Sequence, residues 1–324
     1  MPLHAAHRLD QIDGSDASER HAVGGHPLQR KCELRHKVVP AIGNDFRASS
    51  GFSELTNEMT VMTFPEATTD ISEAVRKHHL ATTFGWQDVA QRYRRSRIGA
   101  FWLTINMGVM IGALGLIFGN LFRTPMQEFL PFVGCGLIVW SFISSCLSDG
   151  CTSFIGAQGI ILQVRMPLFT HVMRTLWRNI IVFAHNLVIV PIVLIIVGAH
   201  ISWVAIISLP GFAVVSLNLL WMMLVLATIC ARFRDMTQVM QNFLQVIFYL
   251  TPIVWQIKTL PKGVPQNLFN LNPFYHLITL IRAPFLGEIP SSTSWLYAIT
   301  MLGVGWLFAL WLFDRYRKRV PYWL

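Results

Sequence analysis

The chain of 324 residues is 53% hydrophobic and 13% charged, with a mean hydropathy of +0.48 and a formal net charge of +9. That apolar content exceeds what a soluble core of this length requires and points to the membrane. The basic balance raises nucleic-acid binding, but such a module needs a soluble basic face with interleaved aromatics, and the charges are distributed otherwise.

Residues 1–75 hold 11 of the 17 acidic and 7 of the 26 basic side chains, so this head carries −4 and the remainder +13. The head has no apolar signal core and is too acidic for a transit peptide. Its sparse apolar residues show no sustained period, so residues 1–80 read as a disordered acidic cytoplasmic extension, with a folded regulatory domain as the alternative. Residues 81–324 read as the membrane domain.

The stretch RYRRSRIGAFW, from Arg92 to Trp102, follows. On a 3.6-residue wheel Trp86, Val89, Ala90, Tyr93 and Phe101 share one face, while Asp88, Arg92 and Arg95 fall opposite. Trp86–Arg97 is therefore expected to be an interfacial helix, with Arg97 snorkelling to the membrane surface. The plainer alternative is that Arg92, Arg94, Arg95 and Arg97 only fix topology.

Six windows are long and apolar enough to cross a bilayer as helices: Phe101 to Phe122, Phe129 to Leu147, Ile180 to Val197, Trp203 to Cys230, Met236 to Trp255, and Trp295 to Phe313. With the N-terminus inside, the inner segments carry 13 lysines and arginines and the outer ones 4, namely Arg123, Lys258, Lys262 and Arg282. Lysine and arginine accumulate on the cytoplasmic side of short loops, which places both termini in the cytoplasm.

Two connections are too long for turns. Between the second and third windows, Ile160, Ile161 and Val164 followed by Gln163, Arg165 and Pro167 predict a short amphipathic helix on the cytoplasmic surface, where another protein could push. After the fifth window a mostly apolar stretch is broken by Pro261, Pro265, Pro273 and Pro284. Its runs are too short to cross, so it reads as a pair of short re-entrant helices entering from the outer side, the alternative being a loop lying on the outer leaflet.

No Asp, Glu, Lys or Arg lies well inside any window, and the acids at their ends, such as Asp149 and Asp314, are scattered singly. The carboxylate pair of an embedded hydrolase or ion-coupled carrier is missing, and no metal-ligand spacing occurs. His185 and Asn186 in the third window read as a satisfied polar pair or as part of a substrate path. The five cysteines, Cys32, Cys135, Cys146, Cys151 and Cys230, show no CxxC spacing and read as small buried apolar residues. With no GxxxxGK[ST] loop, the chain binds no ATP by that route, and energy for active transport must enter from a partner.

The windows contain the aromatics Trp140, Phe142, Phe183, Trp221, Phe248, Tyr249 and Trp255, candidates for the lining of a translocation path. Phe269, Phe274 and Tyr275 lie in the outer proline-broken stretch. Packing and interfacial anchoring are the ordinary roles of such residues.

Four pieces, WQDVAQRYRRSRIGAFW, GAQGIILQVRMPLF, ARFRDMTQVMQNFLQVIFYLTPIVW and LNPFYHLITLIRAPFLGE, occur in an order and spacing that resembles the ABC-2 type export permeases, specifically the branch exporting O-antigen, capsule and teichoic-acid polymers. The resemblance implies an all-α integral membrane protein with six transmembrane helices, an N-terminal interfacial helix, a cytoplasmic coupling helix and an outer re-entrant hairpin. It also implies a homodimer beside two copies of a separate ATPase subunit, which would bind the ATP, so that this chain needs no cofactor or metal of its own. In that family 155–167 would be the coupling helix docking into the ATPase, and 258–288, with Phe269, Phe274 and Tyr275, the outer gate. Arg92, Arg94 and Arg95 would be placed to meet the ATPase or the phosphate-bearing head of a lipid-linked substrate. Drug or small-lipid export within the same fold, and a membrane-embedded glycosyl- or acyltransferase, are the competing functions.

Overall fold

In the computed structural model, residues 64–94, 101–122, 125–198, 202–257 and 267–324 are described, all within the unit Val61–Leu324. Every regular element among them is a helix. In chain order they are α1 (Pro65–Arg76), α2 (His78–Tyr93), α3 (Phe101–Phe122), α4 (Met126–Thr152), α5 (Gln158–Gln163), α6 (Phe169–Leu187), α7 (Ile189–Val197), α8 (Ser208–Arg232), α9 (Met236–Leu250), α10 (Asn267–Asn270), α11 (Pro273–Phe285), α12 (Ser292–Tyr316) and α13 (Val320–Trp323).

Five segments among the described residues are long and apolar enough to cross a membrane: Phe101–Gly119, Met126–Thr152, Phe169–Val197, Trp203–Arg232 and Ser292–Trp323. They match five of the six windows. Helix α4 is the hub, packed against α3, α6, α7, α8, α9 and α11, and most of its surface is covered; α3 lies at the edge with most of its side chains uncovered. The core runs through Val133, Ile138, Ile143, Leu147, Leu219, Met223 and Leu277.

The remaining window, Met236 to Trp255, is helical only through Leu250. At 1.5 Å per residue its 15 residues extend roughly 22 Å, short of an apolar core of about 30 Å. The cause is local: Pro252 has no N–H and disfavours helical geometry at the residue before it, and Thr251 is extended at φ −94°, ψ 134°. The third window starts too late, because the helical segment already begins at Phe169 and includes Arg174 and Arg178. These cations were excluded from an apolar window, yet acidic partners hold them in place.

The expected disordered head ends earlier than residue 80. Pro65 at the first helical position and Glu66 in the first turn suit a helix start, and α1 is completed from elsewhere: Asp314 Oδ1 accepts the backbone N–H of Glu66 at 3.1 Å and of Ala67 at 2.9 Å. Residues 1–63 lie outside the described residues.

On α2 the packed face differs from the wheel. Ala81, Gly85 and Val89, one turn apart, are buried against α6, whereas Trp86 is 61% exposed and Ala90 is exposed too. The wheel assigns the tryptophan to the membrane surface, and close helix approach selects the small residues for contact with α6. A Cβ at position 85 would stand 2.9 Å from the Arg174 carbonyl oxygen and 3.0 Å from Trp177 Cδ1. Asp88, opposite the apolar face of the wheel, turns towards α6.

Candidate functional site

Two polar regions stand at opposite ends of α4. At its C-terminal end Asp88 of α2 accepts Arg174 through Nε at 2.7 Å and also through Nη2, and Arg178 approaches it at 3.7 Å. Arg178 also donates to Asp149 at the end of α4 at 2.8 Å, and Asn179 Nδ2 donates to the same carboxylate at 3.0 Å. Acids that read as scattered therefore converge: Arg178 joins Asp88 to Asp149. Both carboxylates are engaged by guanidinium groups, which suits a structural joint and leaves neither as a free general base.

A second joint lies at the start of α6. Asp70 of α1 is buried and accepts the backbone N–H groups of Leu168 at 3.1 Å and Phe169 at 3.0 Å, together with Arg317 Nε at 2.9 Å. Burial pushes its carboxyl upward from the ordinary carboxylate range, opposed by those two amides and by Arg317. Asp314 thus covers backbone donors at the start of α1, and Asp70 of α1 covers those at the start of α6, so the two acids act in series.

The expected coupling segment sits between these joints. A single 3₁₀ turn, Ile155–Ala157, leads into α5, whose Gln158 side chain donates to the Leu324 carbonyl. Ile160 and Ile161 are half-buried and Pro167 is buried, while Gln163, Val164 and Arg165 are exposed. Leu162, absent from the expected apolar face, is 55% exposed beside Val164. Of the interfacial residues, Trp86, Arg92 and Arg94 are exposed, Tyr93 closes α2, and Arg95 and Arg97 lie outside the described residues.

The candidate path aromatics divide into two groups. Trp140, Phe142 and Phe183 are buried: Trp140 lies 5.9 Å from Phe248 and 6.0 Å from Phe274 between ring centroids, and Phe183 stacks on Phe212 with Phe142 tilted against both. Trp221 is seated on Gly305, where any Cβ would collide with its ring, and its Nε1 donates to Asn218 Oδ1 at 3.2 Å. Tyr249, by contrast, is exposed, and Trp255 rests against Phe269 at 5.2 Å. The His185 ring nitrogen Nδ1 meets Ile181 O at 2.8 Å, so its polarity is satisfied within α6, whereas buried Asn186 Oδ1 has no partner among the described residues.

Tyr249 belongs to a face that sequence reading missed. Gln238, Gln241, Asn242 and Gln245 are exposed on α9 at the spacing of one helical face, which continues to Tyr249. The signal was legible as amides recurring every three or four residues within an apolar window. Amides directed at hydrocarbon are costly, so this face requires water, another chain or a polar substrate beside it.

At the other end of α4 a cavity of 520 Å³ opens between α4, α7 and α11, lined by Gln127, Glu128, Phe132, Gln256, Tyr275, Thr279, Arg282 and Glu288 among others. Arg282, counted in the sequence only as an outer charge, is buried here: Nη1 donates to Pro252 O at 2.8 Å, and the guanidinium stands 4.1 Å from the Phe132 ring centre. An arginine in the apolar run LITLIRAPFL was itself the clue, since a charge embedded in such a run is kept for a reason. Phe274 is buried beneath the cavity-lining Tyr275, and Phe269 is half-buried. Among the described residues no three His, Cys, Asp or Glu side chains gather as a metal site, and Cys135, Cys146, Cys151 and Cys230 are buried free thiols.

Residues 80–286 match the family model described as ABC-2 type transporter. The chain is 24% identical over 227 residues to the O-antigen export system permease protein RfbA of Myxococcus xanthus, covering 69% of this chain and 86% of that protein. It is 22% identical over 202 residues to an RfbA of Klebsiella pneumoniae, covering 62% and 77%, and 28% identical over 204 residues to the inner membrane transport permease YadH of Escherichia coli, covering 55% and 74%. With membrane-length helices, a helix pair joined by ion pairs at one end and family likeness from α2 through α11, the chain belongs to the ABC-2 type transporters as a multi-pass membrane permease.

Proposed function

We propose that this chain is the permease subunit of an exporter that moves a lipid-linked polysaccharide, an O-antigen, a capsule or a related polymer, across the bacterial inner membrane. The observation that carries the reading is similarity to O-antigen export permeases across 69% of the chain. The amide stripe on α9 supports it, because a hydroxyl-rich polymer needs polar contacts within the bilayer.

Energy comes from a separate ATPase subunit, which binds the ATP, and the working assembly is two copies of this chain with two of the ATPase. The exposed Leu162, Val164 and Arg165 receive the push. Helix α5 lies between the ends of α4 and α6, and the Asp88–Arg178–Asp149 joint ties those two helices to α2, so that a displacement of α5 moves them together. The excess of basic residues on the inner side, 13 against 4 as the sequence windows divide them, supports a cytoplasmic position for both termini. In this reading the short α9 and the turn at Pro252 complete a sixth crossing, and Pro273–Phe285 with the residues before it forms the re-entrant outer gate. Trp86 and the arginines after it lie at the inner leaflet.

Deleting the gene and fractionating the surface polysaccharide tests the proposal. Polymer is expected to disappear from the surface and accumulate inside on its lipid carrier, with recovery on complementation. Normal surface polymer in a strain with no second exporter would sink it.

A further inference from the structure

The cavity at the α4 N-terminus is not explained by packing. Its volume of 520 Å³ lies within the range of ligand pockets, and its walls mix charged, amide and aromatic groups. Arg282 supplies cationic N–H donors from a buried position, Glu128 and Glu288 supply acceptors, and Gln127 can do either. Pro131 adds one more group: lacking an N–H, it leaves the carbonyl of Gln127 without its helical partner at the same wall.

Charge selects the ligand. Among the described lining residues two carboxylates stand against one guanidinium, a negative balance that disfavours a phosphate or a uronate. No ion pair joins Arg282 to either acid within 4 Å among the described residues. A ligand whose every polar group both donates and accepts would meet these separated donors and acceptors, and the ring faces of Phe132 and Tyr275 would take its apolar side. Those are the properties of an uncharged sugar. The position is also consistent in chain order, since α9 with its amide stripe leads through Tyr249 to Gln256 on the cavity wall.

From this we infer that the cavity is a saccharide subsite at the outer end of the permease, holding a neutral sugar unit of the emerging polymer between Arg282, the two glutamates and the rings. It rests on the export reading and adds a defined place of contact. Sugars are held there by several modest hydrogen bonds, so the chain can advance.

The test uses the full transporter in cells making their own surface polymer. Thr279→p-benzoylphenylalanine places a photo-crosslinker on the cavity wall, and Ile299→p-benzoylphenylalanine places one on the exposed face of α12. After irradiation and denaturing purification, the protein is probed with antiserum to that polymer. The expected result is a polymer adduct at position 279 and none at 299. If the 279 variant accumulates poorly, Phe285 on the same wall takes its place. Glu288→Gln, at an exposed position that leaves the fold intact, is expected to lower surface polymer about tenfold, the worth of one charge-assisted hydrogen bond. An adduct with lipid alone, or equal adducts at 279 and 299, overturns the subsite. So does no adduct in a strain whose gene deletion does trap polymer inside, and there the export reading stands. Unchanged surface polymer on deletion overturns both.

Discussion

Asp70 and Arg317 are separated by 247 positions and meet at 2.9 Å, through a carboxylate that also holds the amides of Leu168 and Phe169. The two partners are unequal: the Asp70 side chain is 0% exposed and that of Arg317 31%. Asp70→Ala leaves two backbone donors and a guanidinium without their acceptor, whereas Arg317→Ala leaves the amides still satisfied. The expected cost is about 3 kcal/mol for Asp70→Ala, as for breaking a buried pair, and about 1 kcal/mol for Arg317→Ala, as for a partly solvated one. Thermal unfolding of the purified permease in detergent reads the order, and limited trypsin digestion at Arg76 and Lys77 should accelerate only for Asp70→Ala. Equal effects would show that the amide contacts carry nothing.

The Asp88–Arg174 pair joins α2 to α6 with 17% and 22% side-chain exposure. A double-mutant cycle with Asp88→Ala and Arg174→Ala is expected to give a coupling of about 1–3 kcal/mol, in the range of contacting charged groups. Because Asp88 also meets Arg178, Asp88→Ala should be the worse single change. A coupling near zero would mean that the pair is held by the helix contact and does not hold it.

Packing at Gly85 gives a contrast within one residue type. Gly85→Ala drives a methyl into the Arg174 carbonyl and the Trp177 ring, and the expected loss is about 1–3 kcal/mol, the usual range for overpacking. Gly108→Ala on α3 meets nothing within 4 Å, so better helix propensity should leave it neutral or raise stability by up to about 1 kcal/mol. Thermal midpoints of both variants decide this. Stability lost at position 108 would show that a second surface covers α3 there.

How much of this was readable beforehand depended on whether apolarity or geometry decided the position. Five crossing segments followed from run length, since no other helix among the described residues is as long and apolar. The short α9 did not, although Pro252 was in plain view, because the window was scored by hydropathy and the break is a backbone effect. The role of Gly85 was not legible for a related reason: a wheel weighs how greasy a face is and is blind to how closely another helix can approach it, while the exposed Trp86 stays free for the membrane surface. Asp70 and Arg282 owe their importance to partners 98 and 30 residues away, Leu168 and Pro252, and no local pattern contains such pairings.

The exposed edge of α5 makes the last prediction. Leu162 and Val164 are half or more exposed at the arginine-rich end, beside exposed Arg165 and only two residues from buried Pro167, which anchors the segment. This surface of two aliphatic side chains and a cation, at the end of α5 and in the two residues after it, thus faces away from the chain's own core. If it receives the ATPase, Arg165→Glu reverses the charge offered to the partner, and Leu162→Asp removes the apolar contact. Each should lower co-purification of the ATPase at least tenfold, about 1.4 kcal/mol in binding, while leaving the unfolding midpoint of the isolated permease unchanged. Trp203→Ala, at an exposed tryptophan on the approach to α8, serves as the control for surface change elsewhere. Full association and wild-type export by both α5 variants would remove the coupling role from this segment and transfer it to the outward face of α2, where Arg92 and Arg94 are exposed.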